Sequence, residues 1–113
     1  MGSLLCLLLT KHVLCDYFLQ QATGYKYKHV YGHADGMEHA MMHTLGTFLA
    51  LIIVHVSPVT AILLAVVDGV THYHLDWVKS NLVRDKMKWQ RYTLNVVDQS
   101  LHVLTYVAIA LLV

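Results

Sequence analysis

The sequence predicts an all-α integral membrane protein, a four-helix bundle with a polar, metal-binding level in its cytoplasmic half. Three observations predict it. The chain of 113 residues is 57% hydrophobic and only 13% charged, about half the charge of an ordinary soluble domain, and its mean hydropathy is +0.51. Four apolar stretches each approach the ~20 residues that cross a hydrocarbon core. Ionisable residues recur inside those stretches at helical spacing. A chain this short cannot hide so much apolar surface from water, so a single transmembrane domain over residues 1–113 is expected. The hydrophobicity excludes disorder, and a net charge of +1 gives no basic face for nucleic acid.

The first stretch, about 4–21, is interrupted by Lys11, His12 and Asp16. Residues 1–10 lack the positive n-region of a signal peptide and read as the start of a retained helix. Cys6 and Cys15 stand nine residues apart on that helix, roughly 13 Å, too far to bridge; both read as small buried hydrophobes. The loop 23–36 is rich in Gly and aromatics. The second stretch, 37–56, ends in the run LGTFLALIIV, and Ser57-Pro58 makes a tight turn with Pro58 placed to start a helix. The third and fourth stretches, 59–79 and 94–113, flank a loop holding Arg84, Lys86, Lys88 and Arg91. Lys26 and Lys28 lie in the first loop. Loops one and three of a four-helix bundle share a side, which the positive-inside rule makes cytoplasmic, with both termini outside. Tyr25, Tyr27, Trp77, Trp89 and Tyr92 collect near that boundary as an aromatic belt. A bacterial inner (plasma) membrane is the expected location.

Four of the seven acids, Asp16, Asp68, Asp76 and Asp98, fall inside the spans, each at a cost of about 2.5–3.5 kcal/mol on insertion scales. Nine histidines accompany them. The spacing pairs them: His12 with Asp16, Asp68 with His72, His72 with Asp76, Asp98 with His102, and His39 with His43 are all i, i+4, one turn apart on one helix face. Depth agrees with spacing. Counted from the inner ends of the spans, Asp16, His43, His72, Asp76, Asp98 and His102 all lie within about eight residues, roughly 12 Å. Imidazole and carboxylate together are the ligand set of zinc and related divalent transition metals. His12, Asp16, His39, His43, Asp68, His72, Asp76, Asp98 and His102 exceed one tetrahedral shell, so one or two ions are expected, with some members orienting the others. Asp68 is a candidate for that supporting role, beside His72. Gln20 and Gln99 extend the same faces, and Lys79 lies one turn beyond Asp76; these three form the substrate rim. His29, His33, His55 and His74 lie off the shared level.

The ordered pieces His12-Val-Leu-Cys-Asp16-Tyr-Phe-Leu-Gln20, His39-x3-His43, His72-Tyr-His-Leu-Asp76-Trp-Val-Lys79 and Asp98-Gln99-Ser-Leu-His102 resemble a family of small prokaryotic and phage membrane proteins of unknown function. That family's pattern is H-x3-D-[FY]-x2-Q, histidines in helix two, H-x3-D-x2-K, and D-Q-x2-H. Tyr17 stands where Phe is common, and the first loop is short and rich in Tyr and His. More distantly, the chain is similar to membrane-bound metal-dependent hydrolases. The resemblance implies the helical membrane fold and the polar site; the family itself supplies no reaction.

The leading expectation is a membrane-embedded metal-dependent hydrolase acting on a lipid-like or amphiphilic phosphate or ester. Metal lowers the pKa of water and polarises the scissile group, with a carboxylate, Asp16 or Asp98, as the catalytic base. An ion or proton transporter, or a channel, would use the same residues as a path, but the outer halves (4–9, 49–54, 61–67 and 103–113) are nearly all apolar and favour a blind pocket. A non-catalytic bundle stapled by metal is the third reading. A homo-oligomer is compatible with all three.

Overall fold

The computed structural model describes residues 2–19, 27–83 and 88–113. Helix α1, Gly2–Val13, passes directly into a π-helical segment, Leu14–Leu19; α2 is Ala34–Ile53, α3 Pro58–Val83 and α4 Lys88–Leu112. The apolar runs locate the helices, but hydrogen bonding sets their ends. Helix α2 runs three residues earlier than the expected 37–56, because His33 caps it by accepting the Asp35 N–H at Nδ1, 3.1 Å away. It stops at Ile53 because His55 turns left-handed, φ 65°. His55 N–H then reaches the Ile52 carbonyl (2.9 Å) and Val56 N–H the Leu51 carbonyl (3.0 Å), the paired closure of a Schellman end. Ser57 begins α3 by accepting the Ala61 N–H at its carbonyl, 2.8 Å. Helices α3 and α4 overrun the expected 59–79 and 94–113 towards one another, since hydropathy marks the apolar span and polar turns extend the helix past it. The expected first helix, about 4–21, is α-helical only to Val13 and π-helical to Leu19; positions 20 and 21 lie outside the described residues.

The helices pack as a ring, α1 on α2, α2 on α3, α3 on α4, and α4 back on α1. Among the described residues no diagonal pair of helices comes into backbone contact, and only side chains such as Lys11 of α1 and Asp68 of α3 meet across the centre, the arrangement of an up-and-down bundle. The α2–α3 seam is the most extensive, and small residues make it close. Ala61, Ala65 and Gly69 repeat every fourth residue along α3. A Cβ on Gly69 would lie 1.8 Å from Thr44 Oγ1. On the other side of α2, a Cβ on Gly46 would lie 2.4 Å from Lys11 Cγ, so glycine here lets the lysine stem cross the helix. Such small-residue contacts let helix backbones approach closely.

The interior is divided along the bundle axis. Leu4, Leu8, Ala50, Leu51, Ala61, Tyr106, Ile109 and Ala110 form an apolar cluster at the end holding the α2–α3 turn. The other half buries Lys11, His12, His39, His43, Thr47, Asp68, His72, Asp76, Asp98 and His102. The surface is the reverse: Leu63 is 62% exposed and Leu112 73%, whereas His43 is 0% exposed. Three helices, Gly2–Leu19, Pro58–Val83 and Trp89–Leu112, are long and apolar enough to cross a membrane. Helix α2, which carries Asp35, Glu38, His39 and His43, is not among them.

The segment 27–33 is tied to α3 and lies over the polar end. Trp77 Nε1 and Asn81 Nδ2 both donate to the His29 carbonyl (3.1 and 3.0 Å), and Gly32 N–H donates to Tyr73 Oη (2.7 Å). Gly32 sits at φ +82°, where glycine alone is unstrained.

Two substitutions test this packing. Gly69→Ala is expected to cost about 1–3 kcal/mol by overpacking, read as a lower thermal midpoint in detergent, with Thr44→Ala in the same chain recovering at least half. His55→Gly is expected to raise stability by about 1 kcal/mol through relief of its left-handed backbone.

Candidate metal centre

Helical spacing builds the centre. One turn separates His39 from His43 on α2, His72 from Asp76 on α3, and Asp98 from His102 on α4, and the ring of helices turns these faces inward. Asp16 enters from the π-helical turn of the first helix, a backbone form frequent at functional sites. Its Oδ1 lies 2.8 Å from His43 Nε2 and 3.0 Å from His39 Nε2. His72 Nε2 is 3.7 Å from the same oxygen and 3.1 Å from His39 Nε2. Asp16, His39, His43 and His72 thus bring four donor atoms within 4.8 Å of one another. A second group, His72, Asp76 and His102, shares His72. There His72 Nε2 lies 3.1 Å from Asp76 Oδ2, and His102 Nε2 lies 3.3 Å from Asp76 Oδ1 and 3.2 Å from Asp98 Oδ1.

The charge inventory singles out Asp16. Asp68 holds Lys11 at 3.0 Å, Asp76 holds Lys28 at 2.9 Å, and Asp98 holds Lys79 at 3.3 Å. Asp16 has imidazoles around it and, among the described residues, no lysine in ion-pair contact. The Asp16 side chain is 11% exposed, and a carboxylate so far withdrawn from water without an ion-pair partner is costly.

Hydrogen-bond directions can be followed outward from Lys11, whose ammonium only donates. Its Nζ is 2.9 Å from His43 Nδ1 and 3.1 Å from Tyr106 Oη. His43 therefore accepts at Nδ1 and presents Nε2–H to Asp16 Oδ1. Tyr106, accepting from Lys11, donates its own hydrogen to His12 Nδ1 at 2.7 Å. His12 Nε2–H then faces Gln99 Oε1 (2.6 Å) and Asp16 Oδ2 (3.1 Å). Two relays thus leave one lysine and end on the two oxygens of one carboxylate.

These donors suit a transition metal. Three imidazole nitrogens and a carboxylate are a tetrahedral N/O set, and the contacts of 2.8–3.7 Å among them bracket the ~3.3 Å ligand separation implied by Zn–N bonds of about 2.05 Å. The 3.1 Å approach of His39 Nε2 to His72 Nε2 also requires at least one bare nitrogen lone pair, since two N–H groups would repel. Beside the donors lies a cavity of about 230 Å³ lined by Asp16, Tyr17, Lys28, Asp76, Lys79, Asn95 and Gln99.

Several expected positions fall elsewhere. Asp68, expected among the ligands or beside His72, is in neither donor group; it takes Lys11 and the Thr47 hydroxyl, because an ammonium offers a stronger charge-assisted bond than a neutral imidazole. His12 and Asp98 are also outside both groups and support them from one contact away. Lys79 pairs with Asp98 on α4. Gln20 lies outside the described residues. His74 is exposed and bonds Tyr31. Lys28, Thr47 and Tyr106 emerge only from the structure. Thr47 and Tyr106 continue the i, i+4 stripes past His43 and His102, a signal the sequence carries; Lys28 comes from a loop and has none.

The chain belongs to the family described as "Protein of unknown function (DUF3307)", whose model matches residues 4–113. No curated protein and no solved structure matches it.

The relay through Tyr106 gives a direct test. Tyr106→Phe removes the hydrogen that His12 Nδ1 accepts, and is expected to weaken divalent-metal affinity about tenfold while the helical circular-dichroism signal stays at the parent level. An unchanged affinity would detach the relay from the centre.

Proposed function

We propose that this member of the DUF3307 family is a membrane-embedded metalloprotein, and that it hydrolyses a phosphate or ester bond in an amphiphile. The observation that carries this reading is Asp16: a largely enclosed carboxylate that, among the described residues, makes no lysine ion pair, its Oδ1 facing the Nε2 atoms of three histidines. Asp16, His39, His43 and His72 would hold a divalent transition ion, with zinc best suited to the N/O set; since the one Nε2 lone pair of His72 serves a single ion, Asp76 and His102 are left to offer a place for a second. When bound, such an ion lowers the pKa of water and polarises the group under attack.

The remaining roles follow from the cavity. Lys28 and Lys79 stand at its wall and attract an anionic head, while Asn95 and Gln99 add neutral hydrogen-bonding groups. Asp76 lines the cavity and is positioned to take a proton from water there. Asp98, expected as a catalytic carboxylate, does not line it, and acts by fixing His102 and Lys79. The apolar cluster around Leu8, Leu51, Tyr106 and Ile109 fills the opposite half, which supports a blind reaction pocket over a transmembrane path.

The exposed apolar belt supports residence in a bilayer. The clustering of Lys26, Lys28, Arg84, Lys86, Lys88 and Arg91 in two loops supports a cytoplasmic position for the polar end and an outward position for the termini in a bacterial inner membrane.

Detergent-purified protein is expected to retain about one or two divalent ions per chain by elemental analysis, and to release a soluble product from phosphate- or ester-bearing lipids. Asp16→Asn is expected to abolish both. Stoichiometric metal with no product from any lipid pool would leave a structural staple and contradict hydrolysis; absence of metal would contradict the whole reading.

Ligation requires deprotonated donors, and His43 must shed the Nε2 hydrogen it shows to Asp16. Metal affinity is therefore expected to fall about tenfold per unit drop in pH for each proton released, measured by competition with a chelator. A flat profile would contradict this donor set.

A further inference from the structure

A second cavity, of about 670 Å³, runs along α4. Tyr17 of the π-helical segment forms one wall, and Tyr92, Val96, Val103 and Leu104 line the α4 side. It shares Tyr17, Asn95 and Gln99 with the polar cavity beside the metal donors, so the two adjoin. The helix geometry explains the opening. Helix α1 packs against α4, whereas the π-helical segment packs on α1 and α2 and, among the described residues, not on α4. The first and last helices consequently part at the level of Asp16.

The shape has a chemical reading. The α4 stripe from Tyr92 to Leu104 is about 18 Å long at 1.5 Å per residue, close to the ~15 Å depth of one leaflet's hydrocarbon. Its polar groups lie towards the inner part, at Asn95, Gln99 and Ser100, where Gln99 is bonded to His12 and Asp98 and the Ser100 hydroxyl to the Val96 carbonyl at 2.8 Å; beyond them Val103 and Leu104 are apolar. Its inner end meets Lys28 and Lys79. With a divalent cation on Asp16, the two lysines and the ion outweigh Asp16, Asp76 and the Asp98 that pairs with Lys79, leaving that end net positive by one charge.

We propose that this groove is the chain-binding subsite of the substrate: a membrane amphiphile with an anionic phosphate head enters sideways between the π-helical segment and α4, its alkyl chain along Val96, Val103 and Leu104 and its head against Lys28 and Lys79. This rests on the metal-site reading above and adds the substrate's orientation and side of approach.

The probe is an alkyl phosphate carrying a mid-chain diazirine, photolysed with the metal-loaded full chain in nanodiscs and mapped by mass spectrometry. Labelling is expected at Tyr17 and between Val96 and Leu104, suppressed by excess unlabelled long-chain alkyl phosphate and not by inorganic phosphate. Val96→Trp and Val103→Trp, which fill the groove, are expected to lower it at least tenfold at unchanged metal content. Leu63→Trp, on the exposed face of α3, is expected to leave it unaltered. Labelling spread evenly over Leu63, Leu112 and the other exposed apolar positions would overturn the proposal, as would equal groove labelling by the uncharged alkyl alcohol. So would normal labelling and hydrolysis in the filled variants, which would leave the metal reading standing. Groove labelling in a chain that binds metal without hydrolysing lipid would support the subsite and contradict only the hydrolase reading.

Discussion

One half-buried carboxylate organises the polar half of this molecule. Asp16 sits among imidazoles contributed by α1, α2 and α3, and both of its oxygens are engaged. Every other acid at that level has an ammonium partner. A carboxylate largely withdrawn from water is stabilised by a nearby cation, which an imidazole or an external ion can supply. The convergence of histidine nitrogens rather than lysines is what makes an inorganic ion the better candidate: imidazole can lend a lone pair, and ammonium cannot.

The rest of the fold serves that arrangement. Lys11 reaches the centre because Gly46 leaves room for its stem, and it then aligns His43 directly and His12 through Tyr106. The same bundle is apolar inside at its other end and apolar over most of its surface. Burial of polar groups and exposure of apolar ones is the inverse of a water-soluble domain. It is the distribution expected of a chain whose surrounding solvent is hydrocarbon.

Much of this was legible in the sequence, for identifiable reasons. Apolar run length located four helices, and the i, i+4 recurrence of His and Asp placed His39, His43, His72, Asp76, Asp98 and His102 on inward faces. Spacing within a helix cannot say which other helix a side chain meets, which is why it pairs Asp68 with His72 although the partner of Asp68 is Lys11 on α1. Nor could hydropathy reveal the π-helical turn at Leu14–Leu19, since His12 and Asp16 stay in contact through it. Lys28 was hidden for another reason. It reaches Asp76 only because the segment 27–33 is anchored to Trp77 and Asn81, a tertiary event with no local signature. Helix ends differed because an apolar span and a hydrogen-bonded helix stop for different physical causes.

The central claim is that Asp16 and its facing histidines share one metal ion, and X-ray absorption at the metal edge of the loaded protein tests it most directly. The account predicts a shell of nitrogen and oxygen only, with multiple-scattering features from imidazole rings, that loses its ordered imidazole signal in Asp16→Asn. A shell containing sulfur, or one identical in the parent and in Asp16→Asn, would contradict it.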